Sequence, residues 1–437
     1  MDGAADAATP PALERGDTGR FVVIDILRGL AILWVMVFHL YSDMTLHLGD
    51  TPGLYSAFRD RLGEGRPIPA LTALGELILG QGFFGVGMFM MLSGLSLTMN
   101  AYRRGEPSPL SGYRARFRKI VPAYWGGVLI LTGTVALMAL LQMLVDGGSF
   151  REQWWNVRIA EIGLVRVQWD DVLWALSIVG FQFRTKMSTA PVGSLWFVEL
   201  LLQYYLLFPL LLIALKRVGP WRFAAAAVAF TTLTRWWFIP YSDDHFGVGY
   251  MLRYIEAFAP FRVSEFCIGM SLGYLFVHRR AQVNEWVRSP FDIAGILVIG
   301  SLLVMGGVLG ADKSDGLLAI SDPIVSIGLA VCMLPLLFKV PGRLEVSAPA
   351  RALVFLGVIS FAALIVDDQM RYAASFLRYE GVRGPAWWFF LWVVYVPVGT
   401  LLAYPLAKVL GLLPKRRDAV APHAARPAAA LAGAGDA

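Results

Sequence analysis

Ten apolar runs of bilayer-crossing length recur along the 437-residue chain, near 22–42, 77–99, 120–145, 193–215, 222–240, 254–278, 291–310, 317–339, 351–370 and 385–410. In lipid the backbone groups of such runs must find their hydrogen bonds within the segment, which leaves the α-helix as the element each can form. Hydrophobic residues make up 57% of the chain and charged ones 16%, against about a quarter charged in soluble domains. The pattern predicts an all-α polytopic membrane protein with ten transmembrane helices over residues 20–413. Tails at 1–19 and 414–437 are too polar or too rich in Ala and Pro to pack and are expected to be disordered. No signal peptide is expected, because the N-terminus is acidic and the first apolar run is too long and lacks a cleavage site.

Loop charge sets the orientation. The densest basic loop, Arg103, Arg104, Arg114, Arg116, Arg118 and Lys119, separates the second and third runs, and the positive-inside rule places it in the cytoplasm. Alternation then puts both termini, Lys216/Arg217/Arg222, Arg279/Arg280/Arg288 and Lys408/Lys415 inside, with Asp243–Asp244 and Asp312–Asp315 outside. Val172 to Phe183 is apolar but only about a dozen residues long, and counting it as a crossing would reverse Lys216 and Arg217. It is expected to be a short external interfacial or re-entrant helix. The net charge of +6 is spread over short loops, so no nucleic-acid partner is expected. Cys267 and Cys332 lie in apolar runs without CxxC or nearby His, which supports neither a disulfide nor a metal site.

Inside the first run stand Asp25, Arg28 and His39. Eleven residues at roughly 100° each make three turns plus about 20°, so Arg28 and His39 share a helix face about 16 Å apart along the axis. An ionisable group in hydrocarbon costs several kcal/mol unless it faces protein or water. On one reading Arg28, near the cytoplasmic end, receives phosphates and His39, near the outer end, serves as a general base. On the other, Asp25 and Arg28 form an i,i+3 pair and His39 bonds a neighbouring helix.

The run Ile24-Asp25-Ile26-Leu27-Arg28-Gly29-Leu30-Ala31-Ile32 followed by His39 resembles the first helix of the acyltransferase-3 family of integral membrane O-acyltransferases, including its Arg-x10-His spacing. Five further stretches resemble that family in order: Phe83-Phe84-Gly85-Val86-Gly87-Met88-Phe89 with Leu92-Ser93-Gly94; Arg116-x-Arg118-Lys119-Ile120-Val121-Pro122-Ala123-Tyr124-Trp125; Leu195-Trp196-Phe197 with Gln203, Tyr205 and Pro209; Phe261-Arg262-Val263-Ser264-Glu265-Phe266-x-x-Gly269; and Leu356-Gly357-x-x-Ser360-Phe361.

The resemblance implies transfer of an acyl group, commonly acetyl, from cytoplasmic acyl-CoA to a hydroxyl of a carbohydrate, lipid-linked or related acceptor at the outer face of a cell membrane. His39 would then deprotonate the hydroxyl, while Arg28, Arg116, Arg118 and Lys119 would hold the donor's phosphates. A hydroxyl is a poor nucleophile until a positioned base takes its proton, and an unperturbed imidazole titrates near neutral pH. The chain departs from the family at four points. Gly87 stands where an acid is usual, Lys119 where an Arg is usual, and Leu201 where a Glu is usual, with Glu199 two positions earlier. Asp367 stands where a His is usual.

Several residues carry structural expectations instead. Arg262 and Glu265 are expected to form an ordinary i,i+3 ion pair, and Ser93-Gly94 to allow close helix approach. Trp154, Trp155, Trp169, Trp236, Trp237, Trp387 and Trp388 are expected in an external interfacial belt. A secondary transporter using Arg28, Glu199 and His39 as a polar path is the rival from a different functional class.

Overall fold

The computed structural model describes residues 22–46, 75, 78, 80–103, 109–155, 157–159, 163–165, 172–173, 176–177, 193–246, 257–311, 314–339, 347–375 and 390–413. The expected tails, most of the 172–183 segment, and Trp169, Trp387 and Trp388 lie outside the described residues. The described chain is helical apart from a small antiparallel hairpin, β1 (Val157–Ile159) and β2 (Gly163–Val165).

The helices are α1 (Val22–Leu46), α2 (Phe84–Arg103), α3 (Pro109–Asp146), α4 (Phe150–Trp155), α5 (Trp196–Val218), α6 (Pro220–Phe246), α7 (Val263–His278) and α8 (Arg280–Trp286). Then follow α9 (Pro290–Ala311), α10 (Asp315–Lys339), α11 (Ala348–Val358), α12 (Ser360–Ser375) and α13 (Val396–Val409), the last entered through a π-helical turn at Phe390–Tyr395. Helices occupy all ten apolar runs, but they do not all have the form of a straight crossing. Among the described residues seven are long and apolar enough to span: α1, α2, α3, α5, α9, α10 and the π-turn with α13. An eighth counts if α11 and α12, bent by 81° at Ile359, form one broken span. The other two differ for physical reasons. α6 has 27 residues but carries Thr231, Thr232, Thr234 and Arg235, and α7 has 16, about 24 Å of helix. Ten crossings therefore exceed what length and composition establish.

α2 lies deepest, with 72% of its apolar window buried, whereas α9 has 11% buried and presents Leu297, Val298, Ile299 and Leu302 outward. An apolar exterior of this kind is the complement of lipid tails. Trp236 and Trp237 are exposed on α6, as a belt requires. Trp154 is not: it is buried with Val135, Met138 and Ala139 of α3, because α4 folds back onto that helix.

Two pairs of glycines bring the central helices into backbone contact. A methyl on Gly29 of α1 would overlap the Leu353 carbonyl of α11, and one on Gly357 of α11 would overlap the Asp25 carbonyl of α1. The α2–α7 seam repeats the arrangement, with Gly94 against the Phe266 carbonyl and Gly269 against the Met91 carbonyl. Small residues at crossings are the usual means of close approach where lipid supplies no hydrophobic drive between helices. Gly94 therefore has the packing role expected of it.

Gly357→Ala or Gly269→Ala should lower stability by about 1–3 kcal/mol through overpacking. Gly306→Ala, where nothing lies within 4 Å of the added methyl, should leave it unchanged or slightly raise it. Thermal unfolding of the detergent-purified protein, followed by size-exclusion chromatography, measures both.

Candidate active site

α1 carries the three residues singled out in its sequence, and two of them, Arg28 and His39, reach other helices. Asp25 is buried, and Arg28 Nη1 lies 3.7 Å from its Oδ1 across one helical turn. The other arm of Arg28 turns to α2, where Nη2 donates to Ser96 Oγ at 3.4 Å. A third of the Arg28 side chain stays exposed, so its guanidinium is anchored without being enclosed. Three turns on, His39 Nδ1 lies 2.6 Å from Asp367 Oδ2 on α12. Arg28 and His39 thus share the helix but engage different neighbours.

Asp367 is fully buried, and both its oxygens are used. Tyr395 Oη, in the π-helical turn before α13, donates to Oδ1 at 2.6 Å. A carboxylate can only accept, so Nδ1 carries a proton, and in the neutral form of the ring the lone pair is on Nε2. Nε2 has no hydrogen-bond partner among the described residues, and the side chain keeps 17% of its surface exposed. The 81° break at Ile359 is what positions this acid: α11 crosses α1 at Gly29, and α12, redirected, returns to α1 at His39.

The adjacent Asp368 points elsewhere. Its two oxygens accept from Ser194 N at 2.8 Å and Ser194 Oγ at 2.7 Å, while Arg371 Nη1 stands 3.5 Å away. This fastens the entry to α5, and with it Trp196, beside the His39–Asp367 pair. Trp196 stacks on Phe83 at 6.2 Å and 21°, and the Arg262 guanidinium lies 4.9 Å from the Phe83 ring centroid and 5.9 Å from that of Trp196. Phe83 is tied back to α1 through Gly82, whose added methyl would overlap the Trp34 carbonyl and the Phe38 side chain. A closed circuit of contacts results, from His39 through α12, the α5 entry and Phe83 back to Phe38.

Two further acids lie in the interior. Glu265 is buried and holds Arg262 through Nη2 at 2.6 Å and Nε at 3.1 Å, the ion pair expected from their spacing. Glu199, also buried, accepts from Tyr124 Oη of α3 at 2.6 Å. A second pair joins α6 to α10, from buried Arg235 Nη1 to half-buried Asp322 Oδ2 at 2.5 Å. Cys267 is buried and Cys332 half-buried, and both are free thiols. In the basic stretch of α3, Arg118 is exposed, and the side chains of Arg116 and Lys119 lie outside the described residues.

Asp367 was visible in the sequence only as a departure from a pattern, and Tyr395 and Asp368 gave no signal there. An acid inside one apolar run and a His without a local partner inside another are groups that the fold has to match.

A family described as an acyltransferase domain, of the acyltransferase-3 type, matches residues 21–408. The Regulator of hypoxia-inducible factor 1 of Caenorhabditis elegans is 25% identical over 194 residues, 44% of this chain and 34% of that protein. The match thus spans about a third of the curated relative's length. No solved structure matches significantly.

Arg262→Leu leaves the Glu265 carboxylate buried and unpaired, which should cost about 3–5 kcal/mol. The double variant Arg262→Leu/Glu265→Leu should recover most of that loss, and thermal unfolding of the two side by side decides it.

Proposed function

We propose, because this chain belongs to the acyltransferase-3 family, that it is a multi-pass membrane O-acyltransferase moving an acyl group, acetyl in the simplest case, from cytoplasmic acyl-CoA to an acceptor hydroxyl at the outer face. The acceptor is a carbohydrate, glycolipid or related molecule that reaches the bilayer, and both termini are cytoplasmic. The observation that carries this reading is the 2.6 Å contact between His39 Nδ1 and Asp367, with Tyr395 locking the carboxylate.

The chemistry follows from that geometry. His39 Nε2 takes the proton of the acceptor hydroxyl as its oxygen attacks the thioester carbonyl carbon. The new C–O bond forms and the C–S bond breaks. The imidazolium then returns the proton to the leaving sulfur, which departs as free CoA thiol. Asp367 keeps the ring in the tautomer that exposes a lone pair and stabilises the imidazolium while it exists. Arg28, held from below by Asp25 and from the side by Ser96, faces donor phosphates with Arg116, Arg118 and Lys119 nearer the cytoplasm. The buried outer-half acids Glu199 and Glu265 are already engaged by Tyr124 and Arg262, which favours structural roles for them over a proton path.

His39→Ala should abolish release of CoA thiol from acetyl-CoA in membranes that contain the native acceptor, with membrane insertion retained. Asp367→Asn should reduce the rate about 10²–10⁴-fold, and Tyr395→Phe about tenfold, as loss of an orienting partner does. Wild-type rates in either of the first two variants would remove the proposed base. Solute flux without thiol release would point to a transporter.

Arg28→Lys keeps the charge and loses the planar fork, so the apparent affinity for acetyl-CoA should fall several-fold while the maximal rate changes less. Steady-state thiol release against acetyl-CoA concentration separates the two.

A further inference from the structure

Three polar atoms on the seam between α2 and α7 have no hydrogen-bond partner among the described residues: Thr98 Oγ1, Tyr102 Oη and His278 Nε2. Thr98 is fully buried against Gly273 of α7. One turn further along α2, Tyr102 meets Tyr274 edge-on at 5.7 Å and His278 at 4.5 Å. Tyr274 and His278, a turn apart on α7, lie 4.5 Å from one another. From the end of α5 the Lys216 ammonium stands 5.6 Å over the Tyr102 ring, and Arg279, which follows His278, is exposed. A polar group buried without a partner costs about 1–3 kcal/mol, and native proteins keep few of them. A hydroxyl, an imidazole and an ammonium gathered around these rings are groups that can donate to phosphate oxygens, beside ring faces of the kind a purine stacks on.

The position of the seam along the bundle matters as much as its chemistry. Ser96, which Arg28 bonds, lies six residues before Tyr102 on α2, about 9 Å along the axis. His39 lies on α1 about 16 Å from Arg28 in the opposite sense. Base, guanidinium and aromatic seam thus succeed one another from the outer to the inner side. An extended acyl-CoA presents its thioester, its pyrophosphate and its phosphorylated adenosine in the same order. We propose that the seam of Tyr102, His278 and Lys216 binds the phosphorylated adenosine of the donor, an assignment that rests on the acyl-transfer reading above.

The test uses the purified full-length protein and adenosine 3′,5′-bisphosphate as probe. The wild type should be stabilised against heat by the bisphosphate, and Tyr102→Phe, which keeps the ring, and Lys216→Gln should each need about tenfold more of it. In thiol release, both variants should raise the KM for acetyl-CoA by a similar factor and leave the KM for S-acetylpantetheine, which lacks the nucleotide, within about twofold. Equal bisphosphate binding by wild type and both variants would overturn the site, as would a parallel rise in KM for both thioesters. Stabilisation by phosphatidylglycerol micelles without competition from the bisphosphate would assign the seam to a lipid headgroup and overturn the proposal. A wild type that binds the bisphosphate through Tyr102 yet releases no thiol from either thioester would sink acyl transfer and leave the nucleotide site standing.

Discussion

An ionised side chain taken out of water costs several kcal/mol unless another group answers it, and the interior of this bundle is arranged by that requirement. Arg262 with Glu265, Arg235 with Asp322, and His39 with Asp367 meet it at three places. Only the first pair is local, between the residue that caps α7 and one in its first turn. The other two join α6 to α10 and α1 to α12, so the same interactions that neutralise charge also select which helices are neighbours. Asp368 extends the logic to a neutral partner by taking two hydrogen bonds from Ser194 and fixing where α5 begins. Removing one member of such a pair is far costlier than replacing both, because the survivor stays buried without a counter-charge.

Those pairings require helices close enough for side chains of ordinary length to meet, and the glycines supply that closeness. Gly29 and Gly357 let α1 and α11 touch through their backbones, and the break at Ile359 then swings α12 back so that Asp367 arrives at His39. Gly94 and Gly269 do the same for α2 and α7, which places Tyr102 beside His278. The residues that resemble a family signature therefore divide into two kinds. Most of its glycines are contact points between helices, and a small remainder, Arg28 and His39 above all, are the polar groups on which the proposed chemistry rests.

How much of this was legible in the sequence depended on whether the signal was local. Helices appear at every one of the ten apolar runs because run length and apolarity are properties of the segment itself. The i,i+3 pair of Arg262 and Glu265 was legible for the same reason, since one turn of helix dictates it. The form of the runs was less accessible: α7 is short, α6 is too polar in its middle, and α11–α12 is sharply broken. The polar middle of α6 is a property of its own residues, whereas the break at Ile359 is a matter of tertiary geometry, which hydropathy does not encode. Trp154 misled for a related reason, since an aromatic near a span end reads as a belt residue unless the fold-back of α4 onto α3 is known. Asp367 is 328 positions from the His39 it contacts, a pairing that a helix period cannot reveal.

The departures from the family pattern acquire a physical sense once the neighbours are known. Gly87 stands where an acid is usual, and a Cβ there would lie 2.9 Å from Glu265 Oε1 and 3.7 Å from Arg262 Nη2. A carboxylate at 87 would bring a second negative charge into a space already held by the Glu265 carboxylate, so the absence of a side chain on α2 and the acid on α7 belong together. Leu201 follows the same rule: it packs into the apolar core, while Glu199, on another face of α5, finds the Tyr124 hydroxyl. Asp367 in place of a His is the most consequential of the set. A second imidazole beside His39 could donate or accept, and its charge would vary with pH, whereas a buried carboxylate pinned by Tyr395 can only accept. That substitution gives His39 Nδ1 an acceptor and so favours the tautomer on which the role proposed for His39 as a base depends.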